Sequence, residues 1–353
     1  MTHRALIAGV TGIVGRHLAE HLNQIGGWYV IGVSRHPNDL PAGVQHIAGD
    51  LTDADGLRTA LAGAAATHVF ITTWSRQATE AENIRVNGRM VANLLSAVEG
   101  QPVKHVALVT GLKHYLGPFE AYAKAKPITP FREEQPRLPY ENFYYEQEDV
   151  VFDFARRKGY AWTVHRPHTL IGYAVGNAMN MAATLGAYAA ICKNTGKPFV
   201  FPGSPEQFTA CVDITDGRIL AKQLAWAATT PAAANQAFNI TNGEVFRWNW
   251  MWPQLAANLG VAAAAYPGHP TPLAESMAGM EPVWEKIVAA KGLQKNALNT
   301  VASWWHSDAD LGRTIENFTD MTKCRDLGFS AYQNSVRSFT DAFDRLRAQK
   351  IIA

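Results

Sequence analysis

Arg4-Ala-Leu-Ile-Ala8-Gly9-Val-Thr11-Gly12-Ile13-Val14-Gly15, followed by the helical pattern to Ile25, decides the fold. A short apolar run reads as a strand, three glycines at Gly-x-x-Gly-x-x-Gly spacing turn the chain, and apolar residues then recur at helical spacing. Such a loop brings backbone N–H groups close to a pyrophosphate, and the helix N-terminus adds its dipole to the anion site. The competing reading is a tight strand-to-helix turn with no ligand. Its place behind the first strand, inside a complete strand–helix–strand unit, favours a dinucleotide held by Gly9, Thr11, Gly12, Ile13 and Val14.

Outward from this unit the alternation continues. Arg4–Ala8, Trp28–Ser34, Gly43–Ala48, His68–Thr73, His105–Thr110 and Trp162–Arg166 read as strands, with helices at Ile13–Ile25, Ala54–Leu61 and Glu80–Val98. Alternation of this kind implies right-handed crossovers and an α/β fold with a Rossmann-type doubly wound parallel sheet. After Gly172 the pattern changes. Helices near Asn177–Asn194 and Asp213–Ala228, a strand at Ala237–Thr241, and a Trp-rich remainder predict a mostly helical C-terminal substrate lobe. The expected division is residues 1–172 for the cofactor and 173–353 mainly for substrate, with 213–243 returning one or two strands to the sheet.

Composition narrows the function. The 353 residues are 47% hydrophobic, enough for a sizeable core, and 32 basic residues against 30 acidic ones leave no large field to hold a polyanion. Nucleic acid is therefore not an expected partner. No stretch reaches about 18 uninterrupted apolar residues, so no membrane span is expected. Cys192, Cys211 and Cys324 show no Cys-x-x-Cys pairing and suit a reducing cytoplasm. No metal is expected, and a homodimer is the one assembly in view.

The end of the second strand selects the dinucleotide, because an acid there accepts from the adenosine ribose 2′-OH and a basic residue pairs with a 2′-phosphate. The chain reads Gly32-Val-Ser34-Arg35-His36, with no acid. Ser34 and Arg35 therefore point to NADPH/NADP+, against the alternative of an ordinary solvated arginine. Asp50, with Leu51, falls where related folds meet the adenine, and a helix N-cap is an equally good reading of Asp50. Thr72, Thr73 and Thr110 complete the expected cofactor wall.

The superfamily's usual catalytic pair is Tyr-x-x-x-Lys, one helical turn apart, just before the sixth strand. One literal match, Tyr122-Ala-Lys-Ala-Lys126, lies 40 residues too early and is soon broken by Pro127 and Pro130, so its spacing reads as accidental. The helix in the expected place begins Asn142-Phe-Tyr144-Tyr145-Glu-Gln-Glu148-Asp149, where acids stand four residues beyond the tyrosines.

That departure carries a resemblance. Thr110-Gly-Leu-Lys113-His-Tyr-Leu-Gly-Pro-Phe119-Glu-Ala-Tyr122, then Asn142-Phe-Tyr144-Tyr145-x-x-Glu148-Asp149, then His165-Arg-Pro-His-x-x-Ile-Gly172 resemble the progesterone 5β-reductase/iridoid synthase-like enone reductases. Thr73-Trp74, Tyr188-Ala-Ala-Ile-Cys192-Lys, Phe238-Asn-Ile-Thr-Asn-Gly243 and Glu281-Pro-Val-Trp284 extend it nearly end to end. The resemblance implies that Lys113 replaces the missing helix lysine and that Tyr144 is the catalytic phenol, both touching cofactor. It also implies Trp74, Phe119 and Tyr122 around a small apolar carbonyl substrate; Phe343 is added from a helix of unfixed register. Core packing is the competing reading for each aromatic.

The implied reaction is NADPH-dependent reduction of an enone C=C bond. It needs one phenol donor for a developing enolate more than a proton relay. Carbonyl 1,2-reduction, nucleotide-sugar chemistry of the extended short-chain dehydrogenase type, and an NADP(H)-sensing regulator that turns nothing over remain the rival readings.

Overall fold

Most strands of the first half end where the apolar run gives way to glycine or to hydroxyl residues, and this places the loops on one edge. The computed structural model describes residues 3–37, 39–118, 127–177 and 179–353. β1 (His3–Ala8), β2 (Trp28–Ser34), β3 (Val44–Ala48), β4 (His68–Ile71), β5 (His105–Val109) and β6 (Ala161–Pro167) alternate with α1 (Ile13–Ile25), α2 (Ala54–Leu61), α3 (Glu80–Ala97), the one-turn α4 (Lys113–Leu116) and α5 (Phe143–Lys158). They belong to a seven-stranded sheet of order β3-β2-β1-β4-β5-β6-β9, where β9 is Gln236–Ile240, and every pair is parallel. The strand order reverses between β1 and β4, so a crevice opens beyond their carboxyl ends, the usual ligand position in such sheets.

Two apolar layers cover the sheet. α2, α3 and α5 bury Leu57, Leu61, Leu94, Leu95 and Val151 on one face. On the other, α1 and α8 (Gly217–Thr229) bury Leu18, Leu22, Leu220 and Leu224. α5 starts at Asn142, whose side chain accepts the Tyr144 amide, and stops at the left-handed Gly159.

The second half departs from expectation in its details. One strand, β9, returns to the sheet; β8 (Thr215–Asp216), at the start of the run expected to be helical, pairs with β7 (Leu170–Ile171) in a separate two-stranded piece. α6 (Met181–Thr195) starts later than its apolar run because Asn180 caps it, and Asp216 likewise delays α8 by accepting the Arg218 amide. The remaining helices are α7 (Pro205–Thr209), α9 (Trp248–Leu259), α10 (Leu273–Ser276), α11 (Glu281–Lys291), α12 (Leu298–Val301), α13 (Trp304–Leu311), α14 (Thr322–Asp326) and α15 (Ser335–Ala348). Most pack around Trp252, Trp284, Phe199, Phe201 and Phe339. Around α14, however, Met321, Cys324 and Phe329 join the α1/α8 face of the sheet, a return that the sequence pattern did not disclose. Among the described residues no helix is long and apolar enough to cross a membrane.

Candidate active site and cofactor cleft

The glycine loop is built for close approach. Gly9 has φ +87°, and a Cβ there would stand 2.6 Å from the Thr73 Cβ; one on Gly15 would stand 2.3 Å from the Gly9 carbonyl oxygen. Larger residues at either position would push the loop off the sheet. Gly12 is the N-cap of α1, and no side chain caps it or places an acid in the first turn. The leading N–H groups, at Ile13 and Val14, therefore keep the donor character of a helix N-terminus, which suits a phosphate. Ile13 and Val14 themselves have buried side chains.

A cleft of about 850 Å³ runs past this terminus along the carboxyl edge, with Gly9, Thr11, Ser34, Arg35, Asp50, Leu51 and Thr73 among its walls. That size is in the range of cofactor sites. The residues present fit a dinucleotide: a phosphate-sized approach at Gly9, uncapped helix donors, and an exposed guanidinium at Arg35. Ser34 is more committed than expected. Its hydroxyl donates to the His36 carbonyl at 2.7 Å and lies 2.9 Å from His46 Nε2.

Asp50 is not the cap of α2; that role belongs to Asp53, which accepts the Gly56 amide. Asp50 instead folds back on Thr52, accepting its amide at 2.8 Å and its hydroxyl at 2.7 Å, and these bonds hold the carboxyl below its ordinary pKa. Thr72 bonds the Ala8 carbonyl through its hydroxyl at 2.7 Å and ties β4 to β1. Thr110 is buried, its amide bonded to the His165 carbonyl.

Lys113 and Tyr144 both come to the short stretch of backbone that follows β5. Lys113 opens α4, is buried, and sets its ammonium 5.1 Å from the centre of the Phe143 ring and 4.0 Å from Glu80 Oε2. The Tyr144 hydroxyl lies against Gly111, where an added Cβ would stand 3.3 Å from it. The phenol and the lysine thus share one short stretch of backbone, residues 111–113. Asn142 joins them again, since its Nδ2 donates to the Lys113 carbonyl at 2.7 Å and its Oδ1 accepts the Tyr144 amide at 3.0 Å.

The neighbouring tyrosine is used differently. The Tyr145 hydroxyl donates to the His114 carbonyl at 2.6 Å and accepts the Leu138 amide at 3.0 Å, and burial raises its pKa. It is a structural tie, while Tyr144 is half-buried at the edge.

The expected substrate aromatics divide. Trp74 lines the cleft and stacks on Phe143 with ring centres 5.1 Å apart. Phe343 is fully buried beside Phe339 in the helical-lobe core and is not among the residues lining the cleft. Phe119 and Tyr122, like the Tyr122–Lys126 pair, lie outside the described residues.

Three features of the site escaped the sequence. Arg16 is buried at the cleft wall, 3.1 Å from Asp39, with Tyr173 donating to the same carboxylate at 2.8 Å. Gln294, Asn296, Thr300 and Gln349 bring the helical lobe to the cofactor cleft. The Asn296 Nδ2 is buried there with no hydrogen-bond partner among the described residues. Glu80 stands beside Lys113. No local motif marks such residues: Arg16 follows the glycine loop but meets Asp39 and Tyr173 only in the fold, and the others reach the site from distant parts of the chain.

A parallel sheet with its order reversal and an uncapped glycine-rich helix start at the switch point define a dinucleotide-binding Rossmann fold. Solved structures agree on that fold alone. An epimerase from Methanothermobacter thermautotrophicus matches with TM-score 0.70 at 15% identity, over 99% of this chain and 93% of its own. A UDP-glucose 4-epimerase from Thermotoga maritima matches with TM-score 0.67 at 15% identity, over 98% and 99%.

Within this class, the chain belongs to the family of the PRISE-like Rossmann-fold domain, which it matches over residues 58–353. It is 39% identical over 363 residues to a 3-oxo-Delta(4,5)-steroid 5-beta-reductase from Arabidopsis thaliana, covering 99% of this chain and 92% of that protein. It is 40% identical over 362 residues to an (S)-8-oxocitronellyl enol synthase from Nepeta racemosa, with the same coverage.

Proposed function

We propose that this chain is an NADPH-dependent reductase of the C=C bond of α,β-unsaturated carbonyl compounds, with Tyr144 and Lys113 at its reacting edge. The observation that carries this reading is the Tyr144 hydroxyl set against Gly111, two residues from Lys113, in a PRISE-family chain. Relatives named for steroid 5β-reduction and for enol formation support the same substrate class. NADPH, when bound, supplies a hydride. Gly9, Thr11, Gly12, Ile13 and Val14 would hold its phosphates, Ser34 and Arg35 the adenosine side, and Asp50, Leu51, Thr72, Thr73 and Thr110 the remaining wall.

The chain's own contribution is electrostatic. The Tyr144 hydroxyl donates to the substrate carbonyl oxygen, where negative charge builds as an enolate, and the α-carbon then takes a proton from solvent or from the site to give the saturated carbonyl. The Lys113 ammonium keeps that edge positive and favours the phenol as a donor. Trp74, backed by Phe143, gives the substrate an apolar wall and excludes water. We assign residues 1–172 to the cofactor and most of 173–353 to substrate, and a reducing cytoplasm suits the free thiols of Cys192, Cys211 and Cys324.

A panel of small enones and saturated ketones tests the reading. NADPH should be consumed with the enones, giving saturated carbonyl products by NMR. Consumption with saturated ketones, or allylic alcohols from the enones, would move the assignment to carbonyl 1,2-reduction.

A further inference from the structure

Two helix starts converge on the reacting edge, and one carboxylate connects them. Glu80 is the first residue of α3, behind the Thr79 cap, and its side chain is only 17% exposed. Its Oε1 accepts the Phe143 amide at 2.8 Å, on the residue before Tyr144. Its Oε2 lies 4.0 Å from Lys113 Nζ and accepts Asn83 Nδ2 at 3.2 Å. The carboxylate therefore sits at the N-terminus of α5, where the helix dipole favours a negative charge, and faces the lysine ammonium at the same time. This meeting depends on close packing of α3 and α5. A Cβ at Gly88 would stand 2.6 Å from Glu146 Cγ, so glycine there lets α5 approach.

We propose that Glu80 is the positioning residue that couples Lys113 to Tyr144. It rests on the reading of those two residues as the reacting pair. One carboxylate orients the ammonium beside the site and, through a charge-assisted hydrogen bond to Phe143 N–H, fixes the helical turn that carries the phenol. Asn142 makes the complementary link through the Lys113 carbonyl and the Tyr144 amide. Loss of the charge leaves the turn capped but removes the carboxylate that faces the ammonium, a misplacement felt in the chemical step rather than in substrate affinity.

A double-mutant cycle in the full-length enzyme tests this. Glu80→Gln keeps an oxygen able to accept the Phe143 amide and deletes the charge that faces Lys113. It should lower kcat roughly tenfold, with KM for a small enone within about twofold of wild type. Glu80→Asp, which keeps the charge, should retain more of kcat than Glu80→Gln. In a Lys113→Met background, Glu80→Gln should change kcat by less than about twofold, because the group through which it acts is gone. Multiplicative losses in the double variant would overturn the proposal. Thr79→Ala serves as the structural control: it weakens the start of α3 without removing the carboxylate, so it should lower Tm and spare kcat. If Glu80→Gln does not fold, the same cycle with Glu80→Ala, which also deletes the charge, decides by the same criterion. Wild-type turnover in Lys113→Met alone would instead overturn the reading of the reacting pair, so the two failures are distinguishable.

Discussion

The carboxyl edge of the sheet and the histidine row beneath α8 are both rich in titratable groups, yet they do opposite things with them. The row begins at the amino ends of three strands, where His3 and His68 lie 4.9 Å apart and His68 and His105 6.3 Å apart, and rises along β6. There Thr163 contacts His105 Nε2 at 3.2 Å and His165 Nε2 at 2.9 Å, and His165 Nδ1 meets Gln223 Oε1 at 2.8 Å. These rings are packed against one another and against α8. At the carboxyl edge, Arg35, Asp50 and Thr73 face a cleft, and the Tyr144 phenol is half-buried at the same edge. Ionisable residues in a cluster do not mark a reactive site; what marks it is space for a second molecule beside them.

The sharpest way to break this contrast is to compare hydroxyl deletions. Tyr144→Phe should lower kcat by roughly a hundredfold or more, the loss of a main oxyanion donor. Tyr145→Phe should leave kcat near wild type and lower stability by about 1–3 kcal/mol in thermal unfolding, because the His114 carbonyl and Leu138 amide lose their shared partner. Tyr122→Phe should retain substantial turnover. If Tyr122→Phe proves the damaging change and Tyr144→Phe the mild one, the reacting pair is Tyr122 with Lys126.

A smaller effect is expected at the adenosine end of the cleft. Arg35→Asp should weaken NADPH by roughly tenfold in fluorescence titration and improve NADH, since a charge-assisted partner for the 2′-phosphate is replaced by an acceptor for the ribose hydroxyl. Equal affinity of the wild type for both cofactors would remove Arg35 from the selection.

The histidine row has its own signature, in stability rather than rate. Burial lowers His68 and His165 to about 4 and His105 to about 3, from 6.5. These rings stay neutral in the fold while the unfolded chain takes up protons below 6.5, so the stability they contribute is complete above that pH. It is lost as the pH falls toward 4. Tm should drop over that window, and a flat profile from 6.5 to 4 would show that the row is not held neutral.

The first half of the fold was legible because its signals are local. The Gly9–Gly15 loop, the apolar runs of β1 to β6 and the helical spacing of α1 to α3 each declare themselves within a few residues. Their boundaries moved by only a residue or two, as where β4 ends at Ile71 and β5 at Val109. The second half was harder, because Asn180 and Asp216 cap their helices inside runs that look continuous, and because Met321, Cys324 and Phe329 reach the sheet from far along the chain.

The reacting edge divides the same way. Lys113 and Tyr144 were named through the resemblance to the enone reductases, whereas Glu80, Arg16 and Asn296 carry no sequence mark. Phe343 was misleading for the ordinary reason that an aromatic on an amphipathic helix is buried by packing as readily as by a ligand.

The hydride's destination is the most direct test of enone reduction at the Tyr144 edge. A small enone is incubated with NADPH carrying deuterium in the transferable position of nicotinamide C4, and the product is read by NMR. Deuterium on the β-carbon of a saturated carbonyl product is the expected result. Deuterium on the carbinol carbon of an allylic alcohol would contradict it.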